Sequence, residues 1–526
     1  MNRTTLSLLA AATALAAVTG VAALAAPGET PGRSAAAAER LPVERSELLC
    51  PEPSLSELAE TGYTSFTPEG GAAAGSSGAK GTAGLLPAGQ EPDAADGKDG
   101  DKDDEDDRDD RDEKDGKDGK DGKDAGPDPV APLKKPGAPA VASVSGSDAP
   151  ALIGTADGAL APGWTAQQTT VISSGQGRGV LGVSCTAPDT DFWFPGTSTA
   201  ERRQDYVELT NPDDTAAVVD LELYGKKGRI ETETGEGITV PPRSATSVLL
   251  STLTSGKADD LAVRVAARSG RVGAAVRATD SGTGSDWLPF SAVTDGRAVL
   301  PGIPPDATSV QLVAVATGEH DADLKVELAG PTGSFTPAGH ETLTLKRGMV
   351  TSVDLNDITK GEPGSLVLTP ADGGDAAPYA VALRVVRGKG GDREMAFIPA
   401  TGRIEARGTA ADNRAKGSVL SLVTPGKAAK VKVTASAGSG GGEPVSKEYT
   451  VKAGTTLSVP KPPVPSDGKG THALTVEALS GGPVYASRML ELPKGGVPMF
   501  TVQPLPDDRG TVVVPEAAED LSLLMR

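Results

Sequence analysis

The clearest indication of the fold is the stretch VVDLELYGKKGRIETETGEGITVPPRSATSVLLSTL (residues 218–253), where alternating apolar segments are separated by Gly- and Pro-containing turns. Residues 323–358 follow the same plan, and residues 430–464 follow it more weakly. The copies lie about 105 residues apart, which is the length of an immunoglobulin-like sandwich. A propeller blade would repeat at about 40–50 residues, so a propeller is the weaker interpretation. The sequence predicts an all-β chain of about three tandem immunoglobulin-like β-sandwiches.

Composition supports this fold class and excludes one class of partner. Only 3% of the 526 residues are aromatic, so a core must be built mainly from Val, Leu and Ala, which suits thin sandwiches. The formal net charge of −20 argues against a nucleic-acid partner, because phosphate binding needs a basic face.

The first 26 residues predict export. A run without charged residues extends from Leu6 to Ala26 after Arg3, and Ala23–Leu24–Ala25 has the A-x-A pattern of a cleavage site. The run is also long enough to span a bilayer as an apolar helix. Two alternatives stay open: a signal peptide cleaved near Ala25 or Ala26, and a transmembrane anchor over residues 6–26. Both place the rest of the chain outside the cytoplasm.

The remaining chain divides by composition. We predict a short segment at 27–69 that carries Cys50 and packs on the first sandwich, followed by an insert at 70–150. This insert is rich in Gly, Asp and Lys and has too little apolar content to order, so it is expected to be disordered. The predicted sandwiches occupy residues 151–303, 304–405 and 406–526.

The stretch CTAPDTDFWFPGTS (185–198) combines a cysteine with three consecutive aromatic residues. Cys50 and Cys185 are the only cysteines, and an oxidising compartment predicts a disulfide between them. In an extended strand Phe192 and Phe194 share one face and Trp193 takes the other, and Pro195–Gly196 predicts a turn that ends the strand. The core is the preferred place for these aromatics; a secondary hypothesis assigns Trp193, Trp287 and Tyr206 to a binding surface.

Three segments carry a family resemblance: CTAPDTDFWFPGTS, the hairpin VELTNPDDTAAVVDLELYG (207–225) and the strand TVPPRSATSVLL (239–250). The chain resembles an actinobacterial (Streptomyces-like) secreted or membrane-anchored envelope family built on a domain of unknown function. The resemblance covers about residues 160 to 500 together with the Cys50 segment. It implies a β-rich extracytoplasmic protein and carries over no catalytic residue.

Catalytic signals are weak, so we assign no catalytic, cofactor-binding or metal-ligating residue and expect no enzyme. His340–Glu341 lacks the second histidine of an H-E-x-x-H zinc site. Adjacent acids such as Asp213–Asp214, Asp259–Asp260 and Asp507–Asp508 lie in turns, whereas a glycosidase holds two carboxylates across a cleft.

The functional expectation is a non-catalytic scaffold or protein-interaction module of the cell envelope. Its expected partners are envelope or membrane proteins, with the membrane itself contacted through the N-terminal segment. A module that binds carbohydrate or wall polysaccharide is the alternative, and an envelope glycan hydrolase comes third.

Overall fold

The computed structural model describes residues 39–70, 81–89 and 128–514. Within these ranges regular structure is entirely β-strand, apart from 3-10 turns at Gly158–Leu160, Leu250–Thr252 and Gly390–Asp392. The predicted apolar helix at 6–26, and the parts of the predicted insert at 71–80 and 90–127, lie outside the described residues. No helix in the described part of the chain has the length and apolarity needed to cross a membrane.

The strands form one small sheet and four pairs of larger antiparallel sheets, which we call sandwiches I to IV. The small sheet pairs β1 (Glu39–Pro42) with β36 (Thr511–Val514). All of its residues except Pro42 and Thr511 belong to a unit of their own, and Pro42–Thr511 form the unit that holds the sandwiches. Sandwich I contains β2 (Arg45–Cys50), β3 (Ala59–Phe66), β4 (Ala83–Pro87), β5 (Val130–Leu133), β6 (Ala140–Ser145), β7 (Leu152–Asp157), β8 (Thr165–Ile172) and β9 (Gly179–Ser184). Sandwich II contains β10 (Asp191–Thr197), β11 (Arg203–Thr210), β12 (Ala217–Gly225), β13 (Gly228–Ile230), β14 (Ile238–Val240), β15 (Ala245–Leu249), β16 (Leu261–Ser269), β17 (Gly273–Asp280) and β18 (Gly284–Leu288).

Sandwiches III and IV follow sandwich II along the chain. Sandwich III contains β19 (Ala298–Ile303), β20 (Ala307–Ala316), β21 (Ala322–Ala329), β22 (Ser334–Phe335), β23 (Thr342–Leu345), β24 (Val350–Asn356), β25 (Gly364–Pro370), β26 (Tyr379–Arg387) and β27 (Glu394–Pro399). Sandwich IV contains β28 (Arg407–Asn413), β29 (Ser418–Thr424), β30 (Ala429–Ala435), β31 (Val445–Val451), β32 (Thr455–Val459), β33 (His472–Gly481), β34 (Tyr485–Glu491) and β35 (Phe500–Pro504).

All four sandwiches share one strand order. If the strands of each sandwich are lettered a to h along the chain, with strand d split in two in II and III, one sheet runs a-f-c-d and the other e-b-g-h. In sandwich I, for example, the orders are β2-β7-β4-β5 and β6-β3-β8-β9. Strand a begins at Asp191, Ala298 and Arg407 in II, III and IV, close to the repeat length seen in the sequence.

The structure corrects the predicted number and boundaries of the sandwiches. The described residues form four sandwiches rather than three, because residues on both sides of the predicted insert assemble sandwich I. Strands β4, β5 and β6 all fall inside residues 70–150, for which the sequence predicts disorder. The described part of the 27–69 segment, which begins at residue 39, does more than pack on the first sandwich, since β2 and β3 are its strands a and b.

Alternating side chains build the cores as the sequence predicts. In β16, Leu261, Val263 and Val265 enter the core of sandwich II, while Arg264 points away from it. Each sandwich fills the space between its sheets with such Val, Leu and Ala side chains.

The four sandwiches close into a ring. Their h strands meet around the centre, with β9 contacting β18, β18 contacting β27, β27 contacting β35, and β35 returning to β9. Strand a of each sandwich also contacts strand g of the next one, and β28 of sandwich IV contacts β8 of sandwich I in the same way. The last sandwich therefore packs on the first.

Each boundary of the ring has its own buried apolar cluster built around one aromatic side chain. Trp287 lies between I and II, Trp193 between II and III, Tyr485 between III and IV, and Phe66 between IV and I. A chain with few aromatic residues thus uses four of them to hold the sandwiches together, since each buries a large area.

Candidate functional site

The disulfide joins the two sheets of sandwich I. Cys50 ends β2 in one sheet, and Cys185 follows β9 in the other; the two Cα atoms are 4.4 Å apart. Beside it, the backbones of Leu49 and Thr186 exchange hydrogen bonds of 2.8 and 3.0 Å. The predicted pairing is confirmed, and it fixes the first strand of the sandwich to the segment after the last. A disulfide in this position is typical of an oxidising compartment.

The aromatic triplet divides between two environments, as the alternation predicts. Phe192 and Phe194 enter the core of sandwich II, whereas Trp193 packs against Val313, Val315 and other residues of sandwich III. Trp193 retains 5% exposure, and its ring lies 5.2 Å from that of Tyr224. It is therefore part of the boundary between two sandwiches.

The Pro195–Gly196 dipeptide does not end the strand in a turn. Strand β10 continues to Thr197 through a bulge, where Gly196 has a φ of +107°. Strand β19 repeats the feature at Pro301–Gly302, and a Cβ on Gly302 would strike Ser487 of sandwich IV. The bulge with glycine thus lets strand a approach the next sandwich closely, a role that the dipeptide alone does not reveal.

The other two residues of the hypothetical binding surface are also engaged within the molecule. Trp287 is 1% exposed in the cluster between sandwiches I and II. Tyr206 is half-buried, and the guanidinium of Arg277 lies 4.8 Å from its ring centre while pairing with Glu208. The structure does not bring Trp193, Trp287 and Tyr206 together on one exposed face.

The adjacent acids Asp507 and Asp508 hold the segment after β35 against the start of β28. Asp507 accepts hydrogen bonds from the backbone nitrogens of Glu405, Ala406 and Arg407, and Asp508 pairs with the Arg407 side chain. These contacts engage both carboxylates within the fold, whereas a glycosidase holds its two carboxylates across a cleft.

The centre of the ring contains buried carboxyl groups that the sequence analysis did not single out. Asp286 accepts hydrogen bonds from the Gly182 nitrogen at 3.3 Å and from the Thr501 hydroxyl at 3.2 Å, which links three sandwiches. Burial raises the pKa of Asp286 well above its usual range. Glu394 is fully buried 3.6 Å from the Arg178 guanidinium, and burial raises its pKa to about 8.

Two clefts open on the boundary between sandwiches II and III. One, of about 350 Å³, lies beside Trp193 and is lined also by Asp191, Arg264 and Phe290. Arg264 pairs with Asp191 at 2.9 Å and with Glu222 at 3.4 Å, so the charges of this cleft are balanced. The second, also about 350 Å³, is lined by several cationic side chains. Among the described residues no group of His, Cys, Asp and Glu side chains is arranged to hold a metal ion.

A family model described as "Family of unknown function (DUF5719)" matches residues 140–462, more than half of the chain. The chain belongs to the DUF5719 family. No curated protein matches it. The DUF5719 match begins at β6 and ends just after β32, so it spans sandwiches II and III completely and parts of I and IV. The boundary that holds Trp193 and both clefts thus lies inside the part of the DUF5719 chain that defines the family.

Proposed function

We propose that this DUF5719 chain is a non-catalytic extracytoplasmic scaffold of the cell envelope that binds envelope or membrane proteins. The observation that carries the proposal is the closed ring. Side chains of sandwiches I and IV meet directly, since the Thr169 hydroxyl donates to Asp412 at 2.7 Å and Gln167 accepts from two backbone nitrogens of β28. A ring closed in this way holds its outer strands in fixed relative positions, as a platform for partners requires.

Two further features support an extracytoplasmic scaffold. The Cys50–Cys185 disulfide fits an oxidising compartment. The b–e and c–f strand pairings repeated in each sandwich are also those of immunoglobulin-like domains, which serve widely as binding modules. We include the immunoglobulin-like assignment, the actinobacterial envelope setting and attachment or export through residues 6–26 in the proposal.

The outer strand β31 is the best candidate for a docking edge. It is the terminal strand of its sheet, and Ser446, Lys447 and Glu448 are exposed along it. A terminal strand presents unpaired backbone groups that a partner strand can add to. Wall-polymer binding by stacking has less support, because Trp193 and Trp287 are buried and Arg277 covers the Tyr206 ring.

Site-specific photo-crosslinking of the full chain in its native cells tests the scaffold. A photoreactive residue replaces Lys447 on β31 or, as a matched control, the exposed Lys360 in the loop after β24. We expect a discrete protein adduct at position 447 that excess unlabelled chain suppresses, and none at position 360. Saturable sedimentation with purified wall polymer without any protein adduct would replace the scaffold by the polymer-binding alternative. Turnover of an envelope glycan would replace it by an enzyme.

A further inference from the structure

A basic pocket lies between sandwiches II and III, and we define it by Arg202, Arg384, Lys389 and Arg393. Arg202 precedes β11 in sandwich II, whereas the other three side chains come from β26 and the hairpin between β26 and β27. The pocket has a volume of about 350 Å³, at the lower end of small-ligand clefts. Four cations converge here in a chain whose net charge is −20.

Arg384 is the unusual member of this basic pocket. It is half-buried between Ala382 and Val386, whose side chains enter the core of sandwich II, and its buried Nε has no hydrogen-bond partner among the described residues. It also forms no ion pair with them. Burial, together with repulsion from Arg203 and Arg202, lowers its pKa. Buried charges in proteins are normally paired, so Arg384 lacks the anion that its position requires.

The nearby acidic groups are engaged by groups other than Arg384. Asp280 accepts from the Gly282 nitrogen at 2.8 Å and lies 3.5 Å from the Arg202 Nε. Asp260 pairs with Lys226 at 3.4 Å, and Asp205 forms a two-pronged ion pair with Arg203. Within the described residues, Lys389 and Arg393 have no carboxylate partner. Asp280 is the one carboxylate among the described residues that line the pocket, against four cationic side chains.

We propose that the basic pocket binds a phosphate group, either as the free ion or carried by a small phosphorylated polyol. Arginine suits this ligand because its planar guanidinium donates two parallel hydrogen bonds to a tetrahedral oxyanion, and lysine adds a mobile point charge. The phosphate would supply the counter-charge that Arg384 lacks. The inference concerns a site separate from β31 and holds whether or not the scaffold proposal is correct.

Calorimetric titration of the full chain tests the site, with inorganic phosphate and glycerol 3-phosphate as ligands at constant ionic strength and glycerol as the neutral control. The variants Arg384→Met and Lys389→Ala each remove one cation from the pocket. Lys461→Ala removes an exposed cation outside it and serves as the matched control. We expect saturable phosphate binding that weakens about tenfold in each pocket variant, since one hydrogen bond to a charged group is lost, and that is unchanged in the control.

The two ligands distinguish the sources of the phosphate. Equal affinity assigns the site to the free ion, and tighter binding of glycerol 3-phosphate assigns it to the phosphorylated polyol. Arg384→Met should leave the thermal unfolding temperature without phosphate unchanged or higher, because an apolar side chain removes the cost of keeping a half-buried charge without an ion-pair partner. Phosphate should then raise that temperature less in the two pocket variants than in the parent chain and the control. Absence of saturable binding, or equal weakening by Lys461→Ala, would overturn the proposal.

Discussion

Ionisation of Glu394 should make the ring less stable as the pH rises. The side chain is fully buried at the centre, where the h strands meet, and burial raises its pKa from 4.5 to about 8 despite the opposing charge of Arg178. The folded chain therefore holds a proton on Glu394 at neutral pH that the unfolded chain has released. Stability falls with increasing pH wherever the folded state binds more protons.

The magnitude follows from the size of the shift. One unit of pKa corresponds to about 1.4 kcal/mol, so ionisation of Glu394 costs on the order of 5 kcal/mol between pH 4.5 and pH 8. Below pH 6.5 the buried His472 acts in the opposite direction, because burial lowers its pKa to about 4 and the folded state resists its protonation. Between pH 6.5 and 8 the effect of Glu394 amounts to about 2 kcal/mol, and the opposing effect of His472 fades as its imidazole in the unfolded chain loses its proton. Burial also raises the pKa of Asp286, so its ionisation destabilises the folded state in the same direction as that of Glu394.

Urea unfolding of the full chain at several pH values from 6.5 to 8 measures this effect. Glu394→Gln keeps the shape of the protonated side chain and cannot ionise, so its unfolding midpoint should depend less on pH than that of the parent chain and should be higher at pH 8. Glu443→Gln changes an exposed carboxylate and should retain the parent profile. Parallel profiles for the parent chain and Glu394→Gln would refute the reasoning.

Three further substitutions test the disulfide, the boundary between sandwiches II and III, and the bulges. Replacing both Cys50 and Cys185 with serine should lower the free energy of unfolding by about 5 kcal/mol in the chain-entropy model, because the disulfide closes a loop of 135 residues; an unchanged denaturation midpoint would contradict this. Trp193→Ala should lower the free energy of unfolding by about 3–5 kcal/mol in the same assay, because the side chain is buried. A decrease below about 0.5 kcal/mol would contradict this, since it is the effect expected of an exposed side chain. Gly302 has a φ of +90° and lies against Ser487, so Gly302→Ala should lower the free energy of unfolding by about 1–3 kcal/mol. Gly333→Ala is the control, because Gly333 has open space around it, and it should leave the free energy of unfolding unchanged.

Local patterns were sufficient to predict much of this architecture. Strict alternation in segments such as LAVRVAARS reveals which side chains face a core, and it also separates Phe192 and Phe194 from Trp193. The disulfide could be predicted because the chain has only two cysteines. Each of these inferences depends on residue type and spacing within a few positions, where physical constraints on the backbone are strong.

Sandwich I and the ring were not predictable in the same way. Strands of sandwich I lie on both sides of the Asp- and Lys-rich segment, and AVASVS of β6 has small side chains with little apolar contrast. Ring closure depends on contacts such as Thr169 with Asp412, which are 243 residues apart and leave no local pattern. The unpaired charge of Arg384 likewise becomes visible only when the neighbouring acids are shown to have other partners.

Closure of sandwich IV onto sandwich I is the central feature of the structure, and an engineered disulfide between Thr169→Cys and Asp412→Cys tests it most directly. The two side chains meet across that boundary at 2.7 Å. Non-reducing peptide mapping of the full chain should recover an intramolecular link between positions 169 and 412, and pairing Thr169→Cys with Lys461→Cys should give none. Free thiols or only intermolecular links at positions 169 and 412 would show that the sandwiches form an open array.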